Sequence, residues 1–532
     1  MKPKHYLAAA SMLLALIPPA KAVDTVFTGT LTNEQTYIRP ELPLPYNNTY
    51  LVRDWKAGDT SYNYLTRTFI PGGSGTYAIT VTDTEIGDPM LFVYSPTFDS
   101  SSPLTNGLIA NDDIAVQTGD LRARINGAEL IGGQTYIIVV TSFQPGLTGN
   151  FTFVISGDYG ARLVHLTTLS TDLSLSTGQV LDGICGGDAS TEMKDTVNRL
   201  LMMSDGKIST IMPRLTPQTG LALRELAFGN FDIVSDAVDA RLGTISSDTT
   251  VDGAATPAPR ENLWIKGLGR FSHHEARAGY VGYHINGGGI AVGGDHAIQK
   301  DWIIGGALSF AEAKASFRDY RNGDTLQDKT YQATLYTLKD FGRWFVQGSL
   351  AGALHDFDSK RDTQLTGIAQ GNFHGRQLGS QIKAGMPFKF GRFTATPSAA
   401  FNCSRLWTNA YTESEAGSMS LIVHATNQTK AQTALGGRIS TDLSYAGMTI
   451  RPFAQAYWLH QFNSSTCDVT AEFFGGGGEF ITSGQHLLRN SAKGGLGVNV
   501  SKGAFYGELS YDTEIACAST KHIVQAFAGL RF

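Results

Sequence analysis

Polar and apolar residues alternate through the second half of the chain. Asn262, Trp264, Lys266 and Arg270 occupy one set of alternate positions, and Leu263, Ile265 and Phe271 the other. Gln332, Thr334 and Tyr336 oppose Tyr331, Ala333 and Leu335 in the same way. So do Gln347 and Ser349 against Val346 and Leu350, and Tyr506, Glu508 and Ser510 against Phe505, Leu509 and Tyr511. Successive side chains of a strand point to opposite faces, so each run is a strand with one polar and one apolar face. The pattern predicts about twelve antiparallel strands, an even number. Their cores fall at 262–271, 285–298, 302–317, 329–339, 343–358, 373–390, 392–411, 421–445, 448–463, 491–501, 504–516 and 522–532. Such runs are long, because strands of soluble sheets average ~5–6 residues. The connections alternate in length. They are short at 299–301, 340–343, 391, 446–447 and 502–503, and long around 273–282, 318–328, 360–372, 413–420 and 466–490. Short turns at one end, long loops at the other and polar-in, apolar-out strands predict an all-β membrane barrel.

Ordered motifs run through this half. Leu263-Trp264-Ile265-Lys266-Gly267-Leu268-Gly269 opens it. Gly287-Gly288-Gly289-Ile290-Ala291-Val292-Gly293-Gly294 follows, then Trp302-Ile303-Ile304-Gly305-Gly306-Ala307. Pro452-Phe453-Ala454-Gln455-Ala456-Tyr457-Trp458-Leu459-His460 comes late. The last run puts Val524, Ala526, Ala528 and Leu530 on one face and stops on Phe532. Over nearly the whole of 261–532 this set resembles the β-barrel translocator domain of type V autotransporters. The resemblance implies an outer-membrane barrel in contact with lipid, inserted by the cell's barrel-assembly machinery. It also implies that Phe532 and Leu530 form the assembly signal. Ala526 and Ala528 make the outer face of that strand less apolar than the family's usual ending.

Between 161 and 260 the apolar spacing becomes helical. Met193, Val197, Leu200 and Leu201 fall on one helix face, and Leu221, Leu223, Leu226 and Phe228 do so more loosely. A further helix is predicted over Phe231–Leu242, followed by a polar linker at 246–259. The step Ala222-Leu223-Arg224-Glu225-Leu226-Ala227 and the helix after it resemble the segment that precedes the autotransporter barrel. The family's last helix threads the pore. Its cleavage at an Asn-Asn step has no counterpart here, since Asn230 is followed by Phe231.

The front part, 23–160, reads as a β-sandwich. Strands are predicted at Thr76–Thr82, Met90–Tyr94, Leu121–Ile125, Thr135–Thr141 and Asn150–Ile155, separated by Gly- and Pro-rich turns that include Gly127. Asp88, Asn111, Asp112 and Asp113 offer clustered oxygen ligands of the kind Ca²⁺ takes. Asn-Asp-Asp is equally a turn sequence. Gly75-Thr76-Tyr77, Asp88–Tyr94, Asn111-Asp112-Asp113 and Gly133-Gln134-Thr135-Tyr136 together resemble the bacterial pre-peptidase C-terminal type of β-sandwich, some members of which bind calcium. Such modules bind or stabilise and do not catalyse.

Composition narrows the function classes. Residues 1–22 read as a secretory signal peptide: Lys2 and Lys4, an apolar stretch from Leu7 to Ile17, and Ala20-Lys21-Ala22 as the cleavage site. A net charge of −5 with 17% charged residues gives no basic surface for nucleic acid. The four cysteines, Cys185, Cys403, Cys467 and Cys517, form no CxxC pair, though Cys467 and Cys517 fall at the same end of the barrel, where a bridge is conceivable. Between 23 and 260 the lone histidine is His165 and no Gly-x-Ser-x-Gly elbow occurs, so no catalytic residues are assigned. His273-His274-Glu275 and Gly475–Gly478 read as surface loops.

The expected architecture is an all-β membrane barrel of about twelve antiparallel strands with a pore-threading helix. A helical linker (161–260) and an N-terminal β-sandwich (23–160) precede it. The expected function is export and display of a non-catalytic sandwich at the cell surface, for binding or adhesion to an extracellular ligand. A hydrolase carried by the same barrel, and a channel with a periplasmic sandwich, are the alternatives.

Overall fold

The structure is a computed structural model that describes residues 23–232, 238 and 261–532, except 47, 164–165, 185–188, 202, 204, 218–219, 221, 464–465 and 487. The signal peptide, the polar linker and most of the Phe231–Leu242 helix therefore lie outside the described residues. Two compact units divide the chain, one running to His165 and the other beginning at Leu166.

In the second unit twelve strands close into a barrel. They are β1 (Glu261–His274), β2 (Tyr283–Gln299), β3 (Trp302–Phe317), β4 (Thr325–Asp340), β5 (Phe345–Asp362) and β6 (Ile368–Gly385). Then come β7 (Phe393–Thr408), β8 (Thr426–Thr441), β9 (Met448–Gln461), β10 (Asn490–Lys502), β11 (Phe505–Ala516) and β12 (Ser519–Arg531). Each strand pairs antiparallel with the next. The seam closes where β12 pairs with β1, from Asn262↔Arg531 to His274↔Ser519. β6 resumes as Phe388–Phe390 beyond Pro387, which lacks an N–H for the ladder. β8 likewise resumes as Leu443–Tyr445.

The period-two pattern sets which face meets what. Trp264, Lys266, Leu268 and Arg270 are buried in the lumen, and Leu263, Ile265 and Phe271 face outward. The outward set is apolar and fully presented, with Leu335 68% and Leu308 64% exposed. A soluble protein would not leave so continuous an apolar belt uncovered. Phe341, Trp344, Phe388, Phe390 and Tyr445 crowd the short-turn end of the outer surface, as an interfacial girdle does.

At the long-loop end the strands run further than their sequence cores. β5 continues to Asp362 and β4 starts at Thr325. β1 continues to His274, so His273 and His274 are strand residues and not loop residues, and His273 Nδ1 lies 3.0 Å from His284 Nδ1 on β2. Four short strands, Tyr411–Thr412, Leu421–Val423, Val469–Phe473 and Glu479–Thr482, build a separate sheet from the longest loops. Helices α1 (Leu175–Ile184), α2 (Thr191–Leu201) and α3 (Asp205–Ile211) belong to this unit. Ser190 caps α2 by accepting from the Met193 N–H at 3.2 Å. The Met193, Val197, Leu200 and Leu201 face is buried as its spacing predicts. The Ser190 N–H donates to Gly475 O at 2.8 Å, and Ala189 pairs with Gly476. The glycine run at 475–478 is thus a docking edge for the helical segment. Cys403, Cys467 and Cys517 are all free thiols, so no Cys467–Cys517 bridge is formed.

The first unit is two sheets around one core. Val23–Leu31, Gly149–Gly157, Gly75–Thr84 and Arg124–Leu130 form one sheet in that order. Ala161–Leu163, Ser61–Pro71, Tyr136–Ser142, Pro89–Tyr94, Gly107–Asn111 and Thr49–Leu51 form the other, with Thr36–Ile38 beside Ser61–Pro71. Phe27, Ile79, Phe153, Phe69, Leu91 and Val140 meet between them. The strand expected at 121–125 lies instead at Arg124–Leu130, following the Ala115–Asp120 bridge that closes the preceding loop. Gly127, at φ +74°, is a bulge inside that strand: Tyr77 faces Ala128 and Ile79 faces Ile125, so two residues oppose Ala78.

Leu335→Arg places a cation on the lipid face near mid-strand, which costs about 2–4 kcal/mol at the bilayer midplane. The refolded chain should show a lower urea midpoint for this variant, while Leu335→Ile stays within error of wild type.

Candidate functional site

The chain's own preceding segment enters the barrel lumen. Residues 222–232 are helical and, except for the part-exposed Glu225 and Asp232, buried: Ala222, Leu223, Leu226, Ala227, Phe228 and Phe231 among the apolar ones, Arg224 and Asn230 among the polar. A helix buried on nearly every side has no single apolar stripe, which is why its periodicity is loose in the sequence. At the long-loop end its residues pack on Tyr283, Phe317, Leu326, Phe357 and Phe373. Phe231 sits lower, against Ala351 and Ala353. Val238 is grouped with Trp264, Tyr336, Phe345, Tyr506 and Phe527 near the short-turn end. Within the predicted helix Phe231–Leu242, the described residues 231, 232 and 238 therefore track the lumen from outer to inner end.

Polar pairs position the segment. Asn230 Nδ2 donates to Asp328 Oδ2 at 2.9 Å, and the same carboxylate receives Thr330 Oγ1 at 2.9 Å. His355 Nδ1 stands 3.1 Å from Asp328 Oδ1, both side chains fully buried. Lys430 on β8 pairs with Asp232 of the segment. Gly229 sits against the Arg270 guanidinium: a Cβ there would lie 1.4 Å from Nη1, so a larger residue would displace that group.

At the outer mouth two arginines grip the turn that feeds the helix. Arg321 Nη2 donates to Pro213 O at 2.6 Å and to Thr216 O at 3.0 Å, while Nη1 pairs with Asp324 at 3.1 Å. Arg361 Nη1 donates to Arg214 O at 3.0 Å, and its Nε and Nη2 hold Glu413 at 3.1 and 2.5 Å. Both guanidiniums are buried. The fork of donors on arginine allows one side chain to bind a carboxylate and a carbonyl together. Glu192 on α2 accepts the Ser418 N–H at 2.9 Å, which ties the helices to the same loop.

A second arrangement lies in the first unit. Among the described residues, Asp88, Asp112 and Asp113 are brought together, with ligand oxygens all within 4.8 Å of one another. Strand pairing does this: Leu91 faces Asn111, so Asp88 and Asp112 leave the same end of adjacent strands. Asp112 is 0% exposed and Asp113 5%. Both oxygens of Asp112, and Oδ1 of Asp88 and of Asp113, have no protein donor. Burial first, and the neighbouring carboxylates second, push Asp112 up to about 8 and Asp88 up to about 6. Asn111 is engaged otherwise. Its Nδ2 donates to Asn48 O at 2.9 Å and its Oδ1 accepts the Arg124 N–H at 2.6 Å, so it shapes the loop around the aspartates. The oxygen-only donor set and its orphaned atoms fit a hard divalent cation.

The sequence reading selected the aspartates and missed Arg321, Arg361, Asp328 and Asn230. Inward charges at the outer strand ends were the signal available.

Comparison with known proteins agrees with the barrel. Residues 263–512 match the family model described as autotransporter beta-domain. The chain carries an autotransporter β-domain. That domain is an outer-membrane β-barrel translocator of the type V secretion class. Outer membrane protein B of Rickettsia typhi is 21% identical over 361 residues, covering 63% of this chain and 22% of that protein. Outer membrane protein B of Rickettsia japonica is 20% identical over 300 residues, covering 54% and 18%. The chain thus spans about a fifth of the length of these relatives. Among solved structures, the translocator domain of the autotransporter NalP from Neisseria meningitidis is matched at 15% identity and TM-score 0.46, covering 60% of this chain and 100% of that one. The beta domain of the Bordetella autotransporter BrkA is matched at 16% identity and TM-score 0.40, covering 51% and 100%.

Arg361→Ala would leave Glu413 buried without its partner, a loss of about 3–5 kcal/mol for a broken buried pair. Amide hydrogen exchange should accelerate over 211–217 and 413–421 while β4 stays protected. A second expectation concerns pH in the presence of a chelator. Asp112 and Asp88 ionise at higher pH in the folded unit than the usual 3.8. The folded state then holds more protons than the unfolded one between about pH 4 and 8, and stability falls as pH rises through that window. The first unit of the full chain should melt lower at pH 8 than at pH 5 in EDTA.

Proposed function

We propose that this barrel translocates the residues preceding it and displays the 23–165 sandwich on the cell surface, where it binds an extracellular ligand without catalysing a reaction. One observation carries the reading: the segment before the barrel occupies the lumen, entering at the long-loop end, where 213–216 is gripped, and leading toward the short-turn end, where β1 begins. Outer-membrane barrels keep their short turns on the periplasmic side. The chain before residue 166 is then outside. Binding is favoured over triad-type hydrolysis by the histidine count, since His165 is the one histidine between 23 and 260 that a Ser-His-Asp triad could use. Attachment to a surface, as an adhesin, is the form of binding this arrangement serves best. The partners in this reading are outer-membrane lipid along the apolar belt and the barrel-assembly machinery. Leu530 and Phe532, the latter 67% exposed beside the seam, are the residues offered to that machinery.

Brief protease treatment of intact cells should digest the sandwich and leave the barrel fragment in the membrane. Survival of the sandwich until the outer membrane is permeabilised would support the channel with a periplasmic domain instead.

A further inference from the structure

We propose that Arg376 and Arg405, set beside Trp407 on the outer surface of the barrel, bind the phosphate monoester headgroup of a membrane lipid. The leaflet that supplies this lipid follows from the orientation proposed for display, and the binding chemistry does not depend on it. Position is the first observation. Outward side chains of β6 run from Ile382 and Leu378, 56% and 52% exposed, to Arg376. Those of β7 run from Phe401 to Arg405 and Trp407. Leu378 faces Arg405, and Arg376 faces Trp407, across the ladder. Arg405 is thus level with Leu378, where the belt on β6 ends, and Arg376 and Trp407 stand one rung nearer the long loops. A cation is tolerated at that edge of the hydrocarbon far better than at the midplane.

The guanidiniums are the second observation. Cζ of Arg376 lies 5.7 Å, and Cζ of Arg405 5.4 Å, from the centre of the same Trp407 ring, within cation–π range. Arg405 Nη2 also donates to Asn427 Oδ1 on β8 at 2.9 Å. Asn427 faces Trp407, so this bond draws the Arg405 head out of the belt, as a snorkelling side chain is drawn. Charge is the third. Among the described residues no carboxylate pairs with either arginine. Leu354 faces Arg376 on the other side, and the acid one rung beyond, Asp356, is taken by His374 Nδ1 at 2.7 Å. Two cations beside one ring, with no acid to balance them, suit an anionic group. Phosphate fits because each guanidinium presents a fork of N–H donors to its oxygens. A lipid fits better than a free ion. Water competes for an anion at so exposed a pair, whereas a lipid whose chains lie along Leu354, Leu378 and Phe401 is carried to this depth by their burial. Trp407, of a type enriched at membrane interfaces, would meet the carbons next to the phosphate.

The test uses the full chain in a neutral detergent, titrated with dimyristoyl phosphatidic acid and followed by native mass spectrometry. The protein should retain one phosphatidic acid per chain. It should not retain dimyristoylglycerol, which has the same acyl chains and no phosphate. Equimolar inorganic phosphate should not displace the lipid. Arg376→Gln combined with Arg405→Gln should weaken retention about tenfold. Lys314→Gln combined with Lys360→Gln removes two other exposed cations at the same end of the barrel and should leave retention unchanged. Heat-modifiable gel migration shows whether each barrel is closed. Should the double arginine variant fail to close, each single variant carries the same comparison. Equal retention of the diacylglycerol, displacement by inorganic phosphate, undiminished retention by a folded arginine variant, or an equal loss in the lysine variant would each overturn the proposal. An inverted orientation would show in protease accessibility on cells and leave retention as it is.

Discussion

Backbone groups in hydrocarbon have no water to bond, so every N–H and C=O of a spanning strand must find a neighbouring strand. The seam between β12 and β1 is where this requirement is met last. It joins the two ends of the barrel sequence through an unbroken register from Asn262↔Arg531 to His274↔Ser519. Without that pairing two edges would stand open in lipid. The apolar outer belt depends on the same closure, since a single-residue slip in register would turn Leu263 and Ile265 inward and Lys266 and Arg270 outward.

Closure creates a lumen, and the lumen imposes its own constraint. Its wall is polar, and charges buried there need partners. The helical segment supplies several. Asn230 completes the surroundings of Asp328, Asp232 meets Lys430, and the Glu225 carbonyl accepts from Arg270 at 3.3 Å. The apolar residues of the segment meet the few apolar patches of the wall, such as Ala351 and Ala353 opposite Phe231. Wall and segment are thus complementary in both respects.

The barrel was legible in the sequence because its two faces meet opposite solvents, lipid outside and a polar lumen inside. Period two is then enforced at every strand. The front unit was legible only in part. Met90–Tyr94 and Tyr136–Val140 read as strands, but not which side faced the core, because both sides are buried. Beyond the inter-sheet core lies a second layer in which Trp55 meets Phe92 and Phe98 meets Tyr37, Tyr64 and Tyr94. Ser61–Pro71 escaped notice for the same reason, since its burial follows no simple alternation. Asp88, Asp112 and Asp113 could be chosen from residue type alone, although their convergence depends on strand pairing across the sheet. Arg321 and Arg361 left little trace. Their targets are backbone carbonyls of a turn more than a hundred residues earlier, and carbonyls carry no sequence signal.

Those two arginines also decide how the molecule bears load. A pull on the chain outside reaches residues 213–216 before it reaches the helix in the lumen. There it meets hydrogen bonds from Arg321 and Arg361, which are rooted in the outer rim of the barrel. Tension reaching that point would pass in part into the rim. Shear at the cell surface would then be shared with the wall of the barrel, whose strands are paired through the closed seam.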